Sequence, residues 1–171
     1  MKEAYRSITP ENRQKEKGGH PVIQGIIKAV CTSPEKGTEK RNVHAAVFRA
    51  DWGIDGDAHA GHWHRQVSLL SYQKVQQFNL LGASVSDGAF GENLLIDGID
   101  CASLPVGTVL QCGDVVLQVT QIGKECHQAC AIRQRVGTCI MPHQGIFARV
   151  LSGGVIKEGD IIIVQGAGQK E

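Results

Sequence analysis

The sequence has few aromatic residues, no long apolar run and almost no net charge. Phe, Trp and Tyr make up 5% of its 171 residues, and no hydrophobic stretch approaches the roughly 20 residues that an α-helix needs to cross a bilayer. Its net charge of +1 at pH 7 gives no electrostatic reason to expect nucleic acid or an anionic membrane as a partner. A local basic pocket remains compatible with this balance, because net charge does not describe local fields.

A secretory signal is also missing from the first 20 residues. The stretch 1–20 is polar and charged, and it lacks the apolar segment that marks a signal peptide. We therefore expect a cytoplasmic protein whose six cysteines are mostly reduced. Cys31 and Cys112 lie inside apolar runs, so they are expected to be small buried hydrophobes.

Glycine, in contrast, is plentiful. The 21 glycines, together with few long helical patterns, favour a mainly β, turn-rich fold. Short strand-like runs separated by turns predict a closed or partly closed β-barrel with a few short helices. This domain is predicted to span 22–171, after a charged N-terminal extension over 1–21. The predicted strands are 25–31, 42–48, 66–70, one ending near 98, 107–112, 115–122, 145–151 and 160–164; the predicted helices are 72–81 with a Ser71 cap, 127–136, and a short one beginning at Pro10.

The end of the predicted strand 115–122 carries the strongest chemical signal. A glycine there is followed at once by Lys124, Glu125, Cys126 and His127. A thiol beside cationic groups is a place where the reactive thiolate is stabilised, so Lys124 and His127 are expected to lower the pKa of Cys126. The alternative is an inert, buried cysteine at a strand end.

The same stretch also permits a metal site. Cys126, Cys130, Cys139 and His143 have the spacing C-x3-C followed by C-x3-H, and sulfur and nitrogen are the ligands that zinc prefers. An iron–sulfur cluster and a Cys126–Cys130 redox pair are further options for these residues. None of these spacings is diagnostic, because the close C-x2-C pair of zinc knuckles is absent from the sequence.

Two glycine-rich loops offer polar side chains for ligand binding. The first contains His59, His62 and His64, of which His59 is expected to line a pocket and the other two to be either surface residues or ligand contacts. The second, 88–93, includes Gly91 and Asn93 and has the glycine content of a turn whose N–H groups bind an anion. Asn93 is interpreted either as a ligand contact or as a side chain that ties loops together.

Taken together, these segments resemble the MOSC domain, which is found at the C-terminus of molybdenum-cofactor sulfurases. The resemblance covers about 25–164. It depends on the order and spacing of the segments 53–61 (GIDGDAHAG), 65–70 (RQVSLL), 88–94 (GAFGENL), 104–107 (LPVG) with 113–114 (GD), Cys126, and 145–154 (GIFARVLSGG) with 159–160 (GD). The chain is similar to a short, stand-alone form of this family, without the aminotransferase-like sulfurase domain and hence independent of pyridoxal phosphate.

The resemblance implies a β-barrel that binds the pterin-based molybdenum cofactor (molybdopterin). It also implies that Cys126 is the catalytic residue, acting as a sulfur carrier or as a ligand of the cofactor's molybdenum. Because that cofactor carries a phosphate, a basic group is expected to meet it. Together with His59, Gly91, Asn93 and His127, the expected cofactor-binding residues are the cations Arg65, Lys124 and Arg133, with Arg149 as a further candidate.

Three functions are carried forward. The first is cofactor maturation, sulfuration or delivery, with an acceptor molybdoenzyme or cofactor-synthesis proteins as partners. The second is a molybdenum-dependent reductase of N-hydroxylated compounds, which needs a separate electron donor. The third is a small zinc-binding structural protein that uses Cys126, Cys130, Cys139 and His143.

Overall fold

The computed structural model describes residues 21–125, 133–134 and 137–167. These residues form mainly strands, as the glycine-rich sequence predicted, with the short helices α1 and α2. The strands are β1 Gln24–Thr32, β2 Arg41–Asn42, β3 Ala45–Arg49, β4 Gly53–Ile54, β5 Val67–Ser71, β6 Leu94–Asp97, β7 Thr108–Cys112, β8 Val115–Ile122, β9 Ile146–Ser152, β10 Gly154–Lys157 and β11 Ile161–Ala167; α1 is Tyr72–Leu80 and α2 is Met141–Gln144. The division between an extension over 1–21 and a domain over 22–171 stays a prediction.

Seven strands close into a barrel. Their order is β11-β7-β8-β9-β5-β6-β1, and β1 returns to pair with β11. In that closing pair Gly25 lies opposite Ile162. Because the ring is closed, each of its strands has a hydrogen-bonded neighbour on both sides, and this stabilises a sheet made of short strands. The predicted β-barrel is confirmed.

The strands β5 and β6 have two buried faces. They pair in parallel, and α1 makes the crossover between them. Leu69 and Leu94 point into the barrel core, whereas Leu70 and Leu95 pack in a second apolar cluster with Val75 of α1. Since successive side chains alternate between faces, a strand covered on both sides is continuously apolar, and this is why 66–70 was predictable as a strand.

Two local predictions need correction. The predicted strand 42–48 is divided into β2 and β3, because His44 has φ 66 and its backbone N–H donates to Asn42 Oδ1 at 2.9 Å. Ser71 occupies the N-cap position of α1 but makes no side-chain capping bond. Its hydroxyl donates to the Ile99 carbonyl and accepts from the Cys101 N–H, each at 2.8 Å.

A second, three-stranded sheet in the order β10-β3-β4 positions the loop between β4 and β5. At the start of that loop Gly53 has φ +126, and an added Cβ would lie 3.2 Å from Ala60 Cα. At its end the buried Gln66 donates to the Gly61 carbonyl at 3.0 Å and accepts from the Val150 N–H at 2.8 Å. The loop is therefore fixed to the barrel at both ends.

No helix within the described residues is long and apolar enough to span a bilayer.

Candidate functional site

The loop 55–66, called the His59 loop below, is built around a buried ion pair. Lys40 Nζ lies 2.5 Å from Asp57 Oδ1, and both side chains are almost fully buried. Asp57 also accepts backbone N–H bonds from Ser33 and His59, each at 3.1 Å. Buried charges require pairing and hydrogen bonds. This network therefore fixes the backbone position from which the His59 side chain extends.

His59 is a neutral side chain in a positively charged environment. Its side chain is 33% exposed, and Lys40 Nζ lies 3.1 Å from its Nδ1. Burial, followed by the charges of Lys40, Lys124 and Lys36, lowers the pKa of His59 to about 4, against an opposing contribution from Asp57. At neutral pH His59 is therefore an uncharged hydrogen-bonding group among cations.

Arg65 carries a donor without a partner. Its guanidinium lies over the Trp63 ring at 4.8 Å and over the Phe147 ring at 5.6 Å from the centroids. Lys36 Nζ lies 5.6 Å from the Trp63 centroid. In the part of the chain that the structure describes, Arg65 Nε is a buried atom with no hydrogen-bond partner. A buried donor of this kind is costly to leave unpaired, and a guanidinium binds phosphate well.

Beside the His59 loop a cleft opens where β8 ends and β9 begins. Gly123 has φ +67 there, and an added Cβ would lie 2.3 Å from the Pro142 carbonyl oxygen. The His59 loop reaches this corner through His64, whose Nε2 lies 2.9 Å from Gln121 Oε1. The cleft brings together two of the predicted cations and two of the predicted zinc ligands; its polar lining includes Gln121, Lys124, Glu125, Arg133, Cys139 and His143.

The profile of the MOSC domain matches residues 56–163, which is more than half of the chain. The chain belongs to the MOSC domain family. This family is associated with the molybdenum cofactor, and the matched residues include almost all of the His59 loop and the cleft. Among curated proteins, no sequence matches the chain.

Solved structures share the fold of this MOSC domain. The YuaD protein from Bacillus subtilis is 19% identical with a TM-score of 0.72, and the match covers 84% of this chain and 96% of that one. YiiM from Escherichia coli is 16% identical with a TM-score of 0.61 over 84% and 70% of the two chains. YiiM from Geobacillus stearothermophilus is 19% identical with a TM-score of 0.57 over 85% and 76%. At these identities the likeness establishes the fold alone.

The glycine-rich turn 88–93 of the MOSC domain differs from the prediction of an anion-binding turn. The fully buried Glu92 accepts the N–H groups of Gly88 at 2.7 Å and Phe90 at 3.0 Å. The N–H of Gly91 donates to the Gly88 carbonyl, and the Gly91 carbonyl accepts from the Ser68 hydroxyl. The turn therefore binds a carboxylate of its own chain.

Asn93 has the structural role that the sequence left open. It is 1% exposed; its Oδ1 accepts from the Ser68 N–H at 2.9 Å, and its Nδ2 donates to the Cys31 carbonyl at 2.9 Å. These bonds tie the turn to β1 and β5. Contact of Asn93 or Gly91 with a cofactor stays a prediction.

The remaining predicted residues are distributed as follows. His62 is 72% exposed and lies 3.3 Å from Asp51, and Arg149 donates to Gln118 Oε1 at 3.2 Å; both line a second cleft, which also borders Trp63 and His64 of the His59 loop. Cys126, His127 and Cys130 lie outside the described residues. Within the described residues, no group of three His, Cys, Asp or Glu side chains is placed to hold a metal.

Sequence reasoning missed the residues that support His59. Asp57 lies in the segment 53–61 without an assigned role, and Lys40 lies in a charged stretch between the predicted strands 25–31 and 42–48. A buried lysine carries no signal in a single sequence, because Lys is nearly always exposed.

Proposed function

We propose that this MOSC domain binds the pterin-based molybdenum cofactor and acts in its maturation, sulfuration or delivery. The observation that carries the proposal is the buried, unpartnered Nε of Arg65, in a neighbourhood where Lys36, Lys40 and Lys124 act together on a neutral His59. Cations with spare donors fit the phosphate of that cofactor, and a neutral imidazole fits the polar edge of its ring system.

Each of these residues has its own part in binding. Arg65, held against two aromatic rings, supplies a fixed guanidinium charge to the phosphate, and Lys124 and Arg133 at the cleft add positive charge. His59 offers a hydrogen bond to a polar ligand atom. This assignment uses the residues that fit an anionic ligand and leaves Glu92 and Asn93 as the internal support of the barrel.

Cys126 supplies the chemistry in this proposal. It follows Lys124 by two residues, and a nearby ammonium favours the thiolate, which is both the nucleophile and the metal ligand. The cofactor, when bound, supplies a molybdenum centre with an affinity for sulfur ligands. The role of Cys126 as a sulfur carrier or molybdenum ligand derives from its sequence context and from the family resemblance.

The reductase remains the second candidate, because the same cleft could bind a cofactor that is retained for catalysis and not delivered to another protein. The reductase reaction requires a separate electron donor. The zinc protein is disfavoured by the cations at the cleft: Cys139 and His143 share it with Lys124 and Arg133, and positive charges oppose the binding of a divalent cation.

Purification from cells with an intact cofactor supply separates these functions. We expect molybdenum or pterin with the protein, measured by elemental analysis and by fluorescence of the oxidised pterin. Turnover of N-hydroxylated substrates with an added reductant identifies the reductase, and transfer of the cofactor or its sulfur to an apo-molybdoenzyme identifies the carrier. Zinc near one equivalent without pterin contradicts both.

Replacing Cys126 tests the centre of this mechanism. We expect the Cys126→Ala protein to keep its far-ultraviolet circular dichroism spectrum and to bind the cofactor through its phosphate. We expect it to lose sulfur transfer or the reduction of N-hydroxylated substrates. Cys112→Ala, at a buried cysteine of β7, is the matched control, and it is expected to retain activity. Unfolding of the Cys126→Ala protein would instead show that this cysteine is structural.

A further inference from the structure

The ion pair of Lys40 and Asp57 is unusual because lysine and aspartate side chains are almost never fully buried unless they are paired. The Lys40 side chain is 1% exposed and that of Asp57 is 0% exposed. Removing two charges from water is unfavourable, and replacing such a pair by apolar side chains is often neutral for stability. A pair of this kind therefore suggests a role beyond holding the fold, and its neighbour His59 indicates which.

The distances around His59 determine which ring nitrogen carries the proton. Lys40 Nζ lies 3.1 Å from His59 Nδ1, and an ammonium group can only donate. His59 Nδ1 must therefore accept, which places the single ring proton on Nε2. The other arrangement, with Nδ1–H donating to Asp57 Oδ2, has a separation of 3.7 Å, which is too long for a hydrogen bond.

We propose that Lys40 and Asp57 are positioning residues that hold His59 as the neutral tautomer with its proton on Nε2. Asp57 fixes the Lys40 ammonium on one side, and Lys40 in turn occupies Nδ1. His59 then presents a single N–H donor from the nitrogen on the far side of its ring.

Further contacts fix the plane of the His59 ring. The Trp63 indole N–H donates to the His59 carbonyl at 2.8 Å. The two rings are nearly parallel, with an interplanar angle of 12° and centroids 6.4 Å apart. Within the described residues, no hydrogen bond of His59 Nε2 is found, and Nε2 is not among the buried unpartnered atoms. The donor is thus oriented and accessible.

The surrounding charges act in the same direction. The charged groups that act on His59 are Lys40, Lys124 and Lys36, which oppose protonation of the ring, and Asp57, which favours it. Together with burial they lower the pKa of His59 to about 4. His59 therefore stays an N–H donor without becoming an imidazolium over the whole neutral range.

A fixed N–H donor selects ligands that place an acceptor against it. Carbonyl and phosphate oxygens and unprotonated ring nitrogens satisfy it, whereas a ligand with an N–H at that position leaves two donors facing each other. Only this last step, the nature of the ligand, rests on the proposed function. The tautomer itself is a property of the ligand-free protein.

Long-range ¹H–¹⁵N correlation spectra of histidine-labelled, ligand-free protein test the inference. The resonances of His59 are assigned with His59→Gln. We expect the wild type to show His59 as the Nε2–H tautomer from pH 8 to pH 5. In Lys40→Met the donor to Nδ1 is lost and the Asp57 charge is no longer offset, so we expect a loss of this tautomer and a rise of the His59 pKa by about one unit or more.

Lys36→Met is the matched control, because it removes a cation near Trp63 that makes no bond to the ring. It is expected to change the His59 pKa slightly and the tautomer not at all.

An Nδ1–H tautomer or a charged His59 in the wild type at pH 7 overturns the inference, as does an unchanged His59 in Lys40→Met. If Lys40→Met does not fold, the double variant Lys40→Met/Asp57→Leu removes the unpaired charge without adding a donor, and retention of a pure Nε2–H tautomer in it also overturns the inference. Failure to bind cofactor leaves these spectra unaffected and counts only against the proposed function.

Discussion

Two polar loops with glycines look alike in the sequence and behave differently in the structure. The turn 88–93 directs its N–H groups onto Glu92, and both Glu92 and Asn93 are essentially inaccessible. The His59 loop leaves His59 one-third exposed and Arg65 Nε without a partner among the described residues. Glycine content therefore does not distinguish a loop whose polar groups are paired within its own chain from one that leaves some of them unpaired; the placement of charge does.

The difference has an electrostatic origin. In the turn a carboxylate of the chain itself occupies the position that an external anion would take. In the His59 loop Asp57 offsets Lys40, while Lys36 and Lys124 add further positive charge around His59. The turn has a carboxyl group of its own chain in place, and the His59 loop is the one proposed to bind an external anion.

The largest expected effect comes from a glycine of the turn. In Gly88→Ala the Cβ would lie 2.2 Å from the Lys40 carbonyl oxygen at φ +86. We expect a loss of about 4 kcal/mol in the free energy of unfolding, from backbone strain together with displacement of the segment that contains Lys40. Urea unfolding followed by circular dichroism measures it.

Gly56→Ala is the matched control in the His59 loop. Gly56 has φ +78 but nothing within 4 Å of an added Cβ, so the cost is only that of the left-handed backbone, about 1 kcal/mol. Equal losses in the two variants would contradict the contrast between a turn closed on itself and an open loop.

A smaller effect is expected from the pH dependence of the turn. Burial raises the pKa of Glu92 to about 7 from 4.5, against the lowering effect of its backbone hydrogen bonds. The folded state thus binds a proton that the unfolded state releases, so the contribution of Glu92 to stability is complete below pH 4.5 and declines as pH rises to 7. His59, with its lowered pKa, contributes in the opposite direction, gaining stability as pH rises from about 4 to 6.5.

Comparing the wild type with Glu92→Gln isolates the first contribution. We expect the stability difference between the two proteins to shrink by about 3 kcal/mol between pH 4.5 and pH 7.5, because the variant has no carboxylate to ionise. Urea unfolding at a series of pH values measures this. A difference that is constant across the range would mean that Glu92 is ionised in the folded protein throughout.

The smallest effect is expected at the outer histidine. His62 is 72% exposed and pairs only at the surface with Asp51. We expect His62→Gln to change the unfolding free energy by less than about 0.5 kcal/mol and to leave cofactor affinity unchanged, while His59→Gln weakens binding about tenfold through the lost hydrogen bond. Titration with cofactor released from a molybdoenzyme compares the affinities of the two variants. Equal weakening of binding in both would extend the site to the outer side of the loop.

The sequence was sufficient for the barrel strands with strong apolar patterns. The predicted hairpin 107–112 with 115–122 matches β7 and β8, and 145–151 matches β9 within a residue, because apolar alternation and glycine turns are local signals. It was not sufficient for β4 or β10. β4 has only two residues, too few to show an alternating pattern, although it pairs with the neighbouring β3. β10 has four residues, and its partner β3 lies far away in the chain.

The candidate site was predictable in part, where its residues lie next to motif segments in the sequence. His59, Arg65 and Lys124 were chosen from their positions next to motif segments. The structure brings them into one neighbourhood, because Lys124 acts on the His59 ring and the Arg65 guanidinium lies over the Trp63 ring that stacks with it. The partners of His59 were not predictable: Lys40 lies 17 residues from Asp57, and only the folded chain buries the two together. Asn93 could not be assigned from the chemistry of its amide, because the same groups serve a ligand or a neighbouring strand.

The most direct test of this account is the affinity of the released cofactor for two arginine variants. Arg65→Met removes the unpartnered donor of the His59 loop, and Arg149→Met removes an arginine of the second cleft that donates to Gln118. We predict that Arg65→Met weakens binding by about tenfold or more, as expected for the loss of a charged hydrogen bond, while Arg149→Met binds as the wild type does. Wild-type affinity in a folded Arg65→Met protein would contradict the assignment of the His59 loop as the anion-binding side of this MOSC domain.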